Sequence, residues 1–222
     1  MQSTKTALIR VWDPLVRIGH WSVVAGFFVA YFTEDDLLRL HAWAGYLVGA
    51  VVALRIVWGF VGTRHARFAD FIYRPRTVIG YARDLFAFRA RRYLGHSPAG
   101  GAVIVAVLVM LAATVYSGLV AYALEENRGP LAPYVWQTPA QAIPAAAADD
   151  KGDDDLGDDN GDKATGGDAR SESWKELHEA LSDATLILIL FHIGGVAWAS
   201  YAHRENLVRS MITGDKRPNA ED

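Results

Sequence analysis

Four blocks of this 222-residue chain are almost free of charge: Ile18–Phe32, Ala42–Gly62, Ala99–Leu124 and Ala184–Ala202. The last three are each about as long as a membrane-crossing helix, roughly 20 residues, and the first reaches that length if it starts near Pro14. A soluble chain of this size would spread its apolar residues at amphipathic spacing. Here they are gathered: hydrophobic residues make up 51% of the whole, yet the segments between the blocks are strongly charged. The expected fold is all-α and integral to a membrane, a four-transmembrane-helix bundle forming a single domain over residues 1–222. Its helices are placed at about 14–32, 37–61, 99–124 and 174–201.

The net charge of −3 decides little, but its distribution orients the chain. Lys5, Arg10 and Arg17 precede or open the first span, Arg64 to Arg92 crowd the connection between spans two and three, and Arg204, Arg209, Lys216 and Arg217 follow the fourth. By the positive-inside rule both termini and the second connection are cytoplasmic, which an even number of spans permits. The other two connections carry acidic residues: Glu34, Asp35 and Asp36, then an Asp-rich run. The first apolar block lacks a small-residue cleavage site and is read as a helix of the mature protein rather than a signal peptide.

Asp13-Pro14 is a good helix start, a capping residue followed by proline at the first helical position. Pro75 could open a basic amphipathic helix in which Val78, Ile79, Ala82, Leu85 and Phe86 recur at helical spacing among arginines. Such a helix suits the cytoplasmic membrane surface, or it packs on the end of the bundle. Residues 125–171 form a periplasmic insertion. Its part at 149–168 is too rich in Asp and Gly to bury a core, so disorder is predicted there. It does not match a calcium-binding loop.

Ionisable residues at membrane depth are functional candidates by default. Four histidines fall in or at the ends of the apolar blocks: His20, His41, His178 and His192. The last two are 14 residues apart on one helix, which places them on one face and roughly 21 Å apart in depth. His20 is early in a helix that starts inside, whereas His41 is early in one that starts outside. Depth therefore pairs His20 with His192 on the inner side and His41 with His178 on the outer side.

Two imidazoles per level suit the two axial positions of a haem iron. Zinc wants three or four ligands, and neither level offers a carboxylate or a third histidine. With no cysteine in the chain, iron–sulfur clusters held by cysteine and covalently attached c-type haem are excluded. Arg55 lies 14 residues after His41, on nearly the same face and at the inner level. An arginine there is costly unless it meets an anion, and haem propionates are such anions. His65, His96 and His203 belong to cytoplasmic loops or helix ends and are read mainly as interfacial residues. Of these, His96 is the one that could contact a propionate or a quinone head.

These residues stand in motifs that resemble the bacterial cytochrome b561 family, which includes the cytochrome b subunits of nickel–iron hydrogenases. The matching elements are Val11-Trp12-Asp13-Pro14 with Arg17 and His20-Trp21; Leu40-His41 with Gly45-Tyr46; Arg55 with Trp58-Gly59-Phe60-Val61-Gly62; and Arg67-Phe68 with Asp70-Phe71. Further along come Gly95-His96-Ser97-Pro98 with Gly100-Gly101, His178-Glu179, His192, and His203 to Leu207 with Met211 to Gly214. The resemblance covers about residues 10–124 and 172–215. It implies two b-type haems ligated from helices one, two and four. It also implies a membrane electron carrier linking a quinone, ubiquinone or menaquinone, to a periplasmic redox partner such as a cytochrome c or a hydrogenase-like subunit. The long acidic insertion departs from the short connection usual in the family.

The function expected is transmembrane electron transfer through two haems b, in a multi-pass protein of the bacterial inner (plasma) membrane. A quinone reductase or quinol oxidase activity and a homodimer are left open, and nothing points to nucleic acid. The alternative is a redox-inactive anchor or assembly subunit with structural haem. A transporter using the histidine ladder would need polar residues between the two levels, and helix four offers only apolar and small ones there.

Overall fold

The computed structural model describes residues 8–33, 37–135 and 166–218. The acidic turn at 34–36 and most of the stretch expected to be disordered, 149–165, lie outside the described residues, while 166–168, expected disordered as well, are the helical start of α7. Among the described residues the order is β1 (Ile9–Arg10), α1 (Pro14–Tyr31), α2 (Leu38–Val61), a 3₁₀ turn (Arg64–Ala66), α3 (Phe68–Phe71), α4 (Pro75–Phe86), α5 (Pro98–Glu126), α6 (Ala132–Val135), α7 (Gly166–Ala202), α8 (Leu207–Thr213) and β2 (Asp215–Lys216). Two compact units are distinguished: one comprises residues 1–115 and 181–222, the other residues 116–180.

Among the described residues three helical stretches are long and apolar enough to cross a membrane: Leu38–Val61, Pro98–Glu126 and Ala169–Ala202. Large apolar side chains along them stay uncovered by protein, including Leu54, Val109, Ile187 and Phe191. A surface of that kind calls for lipid rather than water. The helix α1 is shorter, at 18 residues, and carries Arg17 and His20 in its first two turns.

In the larger unit the capping expected at Asp13 is present. Its carboxylate accepts from Val16 N at 2.9 Å, and also from Trp58 Nε1 at 3.1 Å and Thr63 Oγ1 at 2.6 Å. One side chain thus starts α1 and fastens it to the end of α2. Burial alone would raise the Asp13 pKa, but the hydrogen bonds from Thr63, Val16 and Trp58 outweigh it and hold the carboxyl below its usual range.

The core of this unit is Phe27, Val48, Val52 and Leu111, with Val23, Val107, Leu186 and Ile189 packed around it. Gly26 lets α1 and α2 close on each other, since a Cβ there would come within 2.9 Å of Val48 Cγ2. Two polar contacts bring in α7: Tyr31 Oη donates to Asp183 Oδ1 at 2.9 Å, and the hydroxyls of Thr114 and Thr185 meet at 3.0 Å. Thr185 is fully buried, so its hydroxyl needs such a partner.

The helix opened by Pro75 forms as expected, but Tyr81 and Leu85 are its buried residues while Ile79 and Phe86 stay exposed. Tyr81 Oη lies 3.2 Å from His203 Nε2, so α4 packs on the end of α7. The C-terminal segment, read from sequence as a basic tail, is structured instead. Asn206 caps α8 by accepting from Arg209 N at 2.8 Å, and Gly214 ends it in the left-handed conformation at φ 89°. The strand β2 then pairs antiparallel with β1, placing Ile9 opposite Lys216 and Arg10 opposite Asp215. Arg92 locks the arrangement: its guanidinium forks onto Glu205 at 3.0 and 2.6 Å and also donates to the carbonyls of Pro218 and Arg217.

Candidate functional site

Four of the residues singled out in the sequence share the larger unit's interior. His20 is presented by α1 and His192 by α7, both within this unit. The His20 imidazole meets Trp21 edge-on, with centroids 5.2 Å apart, and its Nδ1 is buried without a hydrogen-bond partner. Arg55 projects from α2 with its guanidinium carbon 5.5 Å from the Phe68 ring centre and 5.9 Å from that of Phe71. Its Nη1 is likewise buried and unpaired.

His96 precedes α5. Its ring lies between Trp12 and Phe71, at centroid distances of 4.4 and 4.5 Å. Burial, aided by the positive charges of Arg55 and Lys216, pushes the His96 pKa down to about 3. The imidazole is therefore neutral at ordinary pH, and its buried Nδ1 is unpaired as well. Orphaned buried polar atoms are rare in folded proteins, and each one requires an explanation. Here His20, Arg55 and His96 each carry one in the same unit.

His41 belongs to the same unit, near the start of α2. Its Nδ1 lies 2.9 Å from the carbonyl oxygen of Ala30. A carbonyl can only accept, so Nδ1 carries the proton and Nε2 is the basic nitrogen. His178 lies in the smaller unit. There its Nδ1 meets Ser117 Oγ at 3.2 Å, and Ser117 is almost fully buried. Gly118 makes room for the ring: a Cβ at that position would approach His178 Cε1 to 2.7 Å. Both histidines are thus held through Nδ1, the arrangement in which metal-bound imidazoles are oriented by a second partner. They fall in different units.

Among the described residues no three His, Cys, Asp or Glu side chains gather as a metal site. His65 and His203, read as interfacial, have polar partners: His65 Nδ1 lies 3.0 Å from Asp70 Oδ2, and His203 faces Tyr81. The sequence reading missed Trp12 and Lys216. Lys216 is 6% exposed, and its ammonium sits 5.5 Å from the Trp12 ring centre. An open groove of about 430 Å³ runs beside α1 and α8, lined by Arg17, Trp21, Ser22, Met211 and Ile212 among others.

The His20 and His192 imidazoles in one unit, with a guanidinium nitrogen of Arg55 buried without a hydrogen-bond partner, fit a haem: two nitrogens for the iron and a cation for a propionate. The chain matches the family described as prokaryotic cytochrome b561 over residues 11–214, and it belongs to that family. No curated protein and no solved structure matches it. Family membership makes it a multi-pass membrane protein of haem b electron transfer.

Proposed function

We propose that this chain carries two haems b across the bacterial inner membrane, the inner one held by His20 and His192 and the outer one by His41 and His178. When bound, haem b supplies a one-electron carrier. The chain's own residues do the rest. His20 and His192 offer two nitrogens at one level from facing helices. His41 keeps Nε2 basic by donating Nδ1–H to Ala30, and Ser117 steadies His178. Arg55 and His96 would meet the propionates of the inner group. The observation that carries this reading is the set of buried polar atoms without hydrogen-bond partners in the larger unit: His20 Nδ1, Arg55 Nη1 and His96 Nδ1.

Four crossings in a single domain, with both ends cytoplasmic, follow from the same reading. Pairing of β1 with β2 brings residues 9–10 and 215–216 together, which supports an even number of spans between them. Three stretches are long enough by themselves, and α1 supplies the fourth. Its 18 residues extend about 27 Å, close to the roughly 30 Å of a hydrocarbon core.

The groove between α1 and α8 supports a quinone as membrane partner. It offers an apolar wall, an arginine and the Trp21 ring that abuts His20. For the outer partner the acidic run at 149–168, of which 149–165 lie outside the described residues, is read as a docking arm for a basic periplasmic redox protein such as a cytochrome c.

The test is a haem-to-protein ratio and a reduced-minus-oxidised spectrum of the purified protein. Two b-type haems are expected. His20→Ala and His192→Ala should each remove the same one, and His41→Ala and His178→Ala the other. Absence of a b-type alpha band, or retention of both haems in all four variants, would refute the proposal.

A further inference from the structure

Lys216, Trp12, His96, Phe71 and Arg55 form a continuous stack. The Lys216 ammonium lies over the Trp12 ring, Trp12 packs on His96, His96 on Phe71, and Phe71 under the Arg55 guanidinium. A cation therefore stands at each end of three packed rings, of which Trp12 and Phe71 are buried and His96 is half-buried. The stack also concentrates orphaned polar atoms: Trp12 Nε1, His96 Nδ1 and Arg55 Nη1 are all buried without a hydrogen-bond partner. Trp12 is only 4% exposed.

Lys216 is poorly neutralised where it sits. Its nearest acceptor is the Gly95 carbonyl at 3.4 Å, and the neighbouring carboxylate, Glu205, is already forked by Arg92. A buried ammonium in that setting is expensive unless a further anion faces it. Two cations and two to three unpaired N–H groups around one interior are the complement of carboxylate oxygens.

We propose that Lys216 and the Trp12 indole N–H complete, with Arg55 and His96, a carboxylate-binding site for the propionates of the inner haem, so that the C-terminal strand is a clasp closed over that haem. This rests on the inner haem proposed above. It assigns a ligand-binding role to a residue more than twenty positions beyond the last histidine ligand, on a strand outside the membrane helices. The clasp is held by the β1–β2 ladder and by the Arg92 fork.

The test uses the full chain with Lys216→Met, Lys216→Arg and Trp12→Phe, titrating each haem potentiometrically through its alpha band. Removing a buried cation favours the oxidised, more positive haem. Lys216→Met should therefore lower the midpoint of one haem, the one lost in His20→Ala, by about 59 mV, a tenfold change in a one-electron equilibrium. The other haem should not move, and Lys216→Arg should restore most of the shift. Trp12→Phe keeps the ring and loses only the N–H, so it should give a smaller shift in the same direction, and it serves if Lys216→Met does not accumulate.

Unchanged midpoints in Lys216→Met, an equal shift in both haems, or no recovery with arginine would overturn the clasp while leaving the two-haem reading intact. A midpoint in the unsubstituted protein that moves with added phosphate would assign the site to a free anion and overturn the propionate assignment. Absence of haem from the purified protein overturns both proposals.

Discussion

Ile9 and Lys216 face each other in a two-residue antiparallel ladder, joining the two ends of the described chain. Around that ladder the Val11 and Trp12 amides donate to the Gly214 carbonyl, at 2.9 and 3.1 Å. The chain's entry into α1 is thereby set by residues that follow α8. Trp12 and Lys216, one from each end, meet beside His96.

Glu205→Ala should destabilise the protein strongly. The Glu205 side chain is 7% exposed and that of Arg92 23%, so the variant leaves a half-buried guanidinium without its carboxylate, bonded only to neutral acceptors such as the Pro218 and Arg217 carbonyls. Breaking such a pair from one side costs about 3–5 kcal/mol. Thermal unfolding in detergent measures it, and an unchanged midpoint temperature would contradict the account.

The same pair predicts a pH dependence. Burial would raise the Glu205 pKa, but the hydrogen bonds and charge of Arg92, with Lys216 behind them, lower it below its ordinary 4.5. A carboxyl depressed in the folded state contributes stability above its unfolded pKa and loses it as pH falls through the folded one. Stability should therefore hold down to about pH 4.5 and decline below it. Glu205→Gln should flatten that part of the curve, as read by unfolding temperature against pH.

Asp13→Ala removes the cap of α1 together with acceptors for Trp58 and Thr63. Loss of a capping side chain alone costs about 0.5–2 kcal/mol. Asp13→Asn, which keeps the capping oxygen, should recover part of it. Comparing the unfolding temperatures of the two variants checks this order.

Gly118→Ala places a methyl group where the His178 ring now lies. The helix backbone tolerates alanine, so the expected effect is local: loss or a spectral shift of the haem that His178→Ala removes, with the other retained. A variant with both haems and an unaltered spectrum would show that the ring does not need this space.

Trp21→Ala opens the groove beside α1 and α8. A raised KM for quinol with unchanged haem content is expected from stopped-flow reduction. An unchanged KM would remove the groove from consideration as the quinone site.

The apolar blocks were enough to place the long helices. Expected bounds of 14–32 and 37–61 became Pro14–Tyr31 and Leu38–Val61, because uninterrupted apolar length is itself the physical requirement. The helix α7 begins at Gly166 rather than near Trp174. Its extra turns open on two glycines, hold only Ala169, Arg170 and Glu172 as good helix formers and carry no apolar stripe, so neither propensity nor periodicity signalled them. The short helix α8 left a readable trace in Asn206 and Gly214, a cap and a stop bracketing seven residues, but the charge of the tail drew attention elsewhere.

Of the site, the histidines and Arg55 were legible because polar groups stand out in an apolar run. Trp12 and Lys216 were not. An aromatic ring near a membrane boundary and a lysine in a basic tail are each ordinary in sequence, and only the pairing of distant strands buries them together.

That pairing also sets an order of events during synthesis. Lys216 leaves the ribosome only after every long helix has been made, so the interior around Trp12 and His96 stays open while the helices insert. A cofactor can enter during that interval and is enclosed when the late strand arrives. Maturation would then run from insertion to loading to closure, and a chain cut short before residue 215 would reach the membrane without its seal.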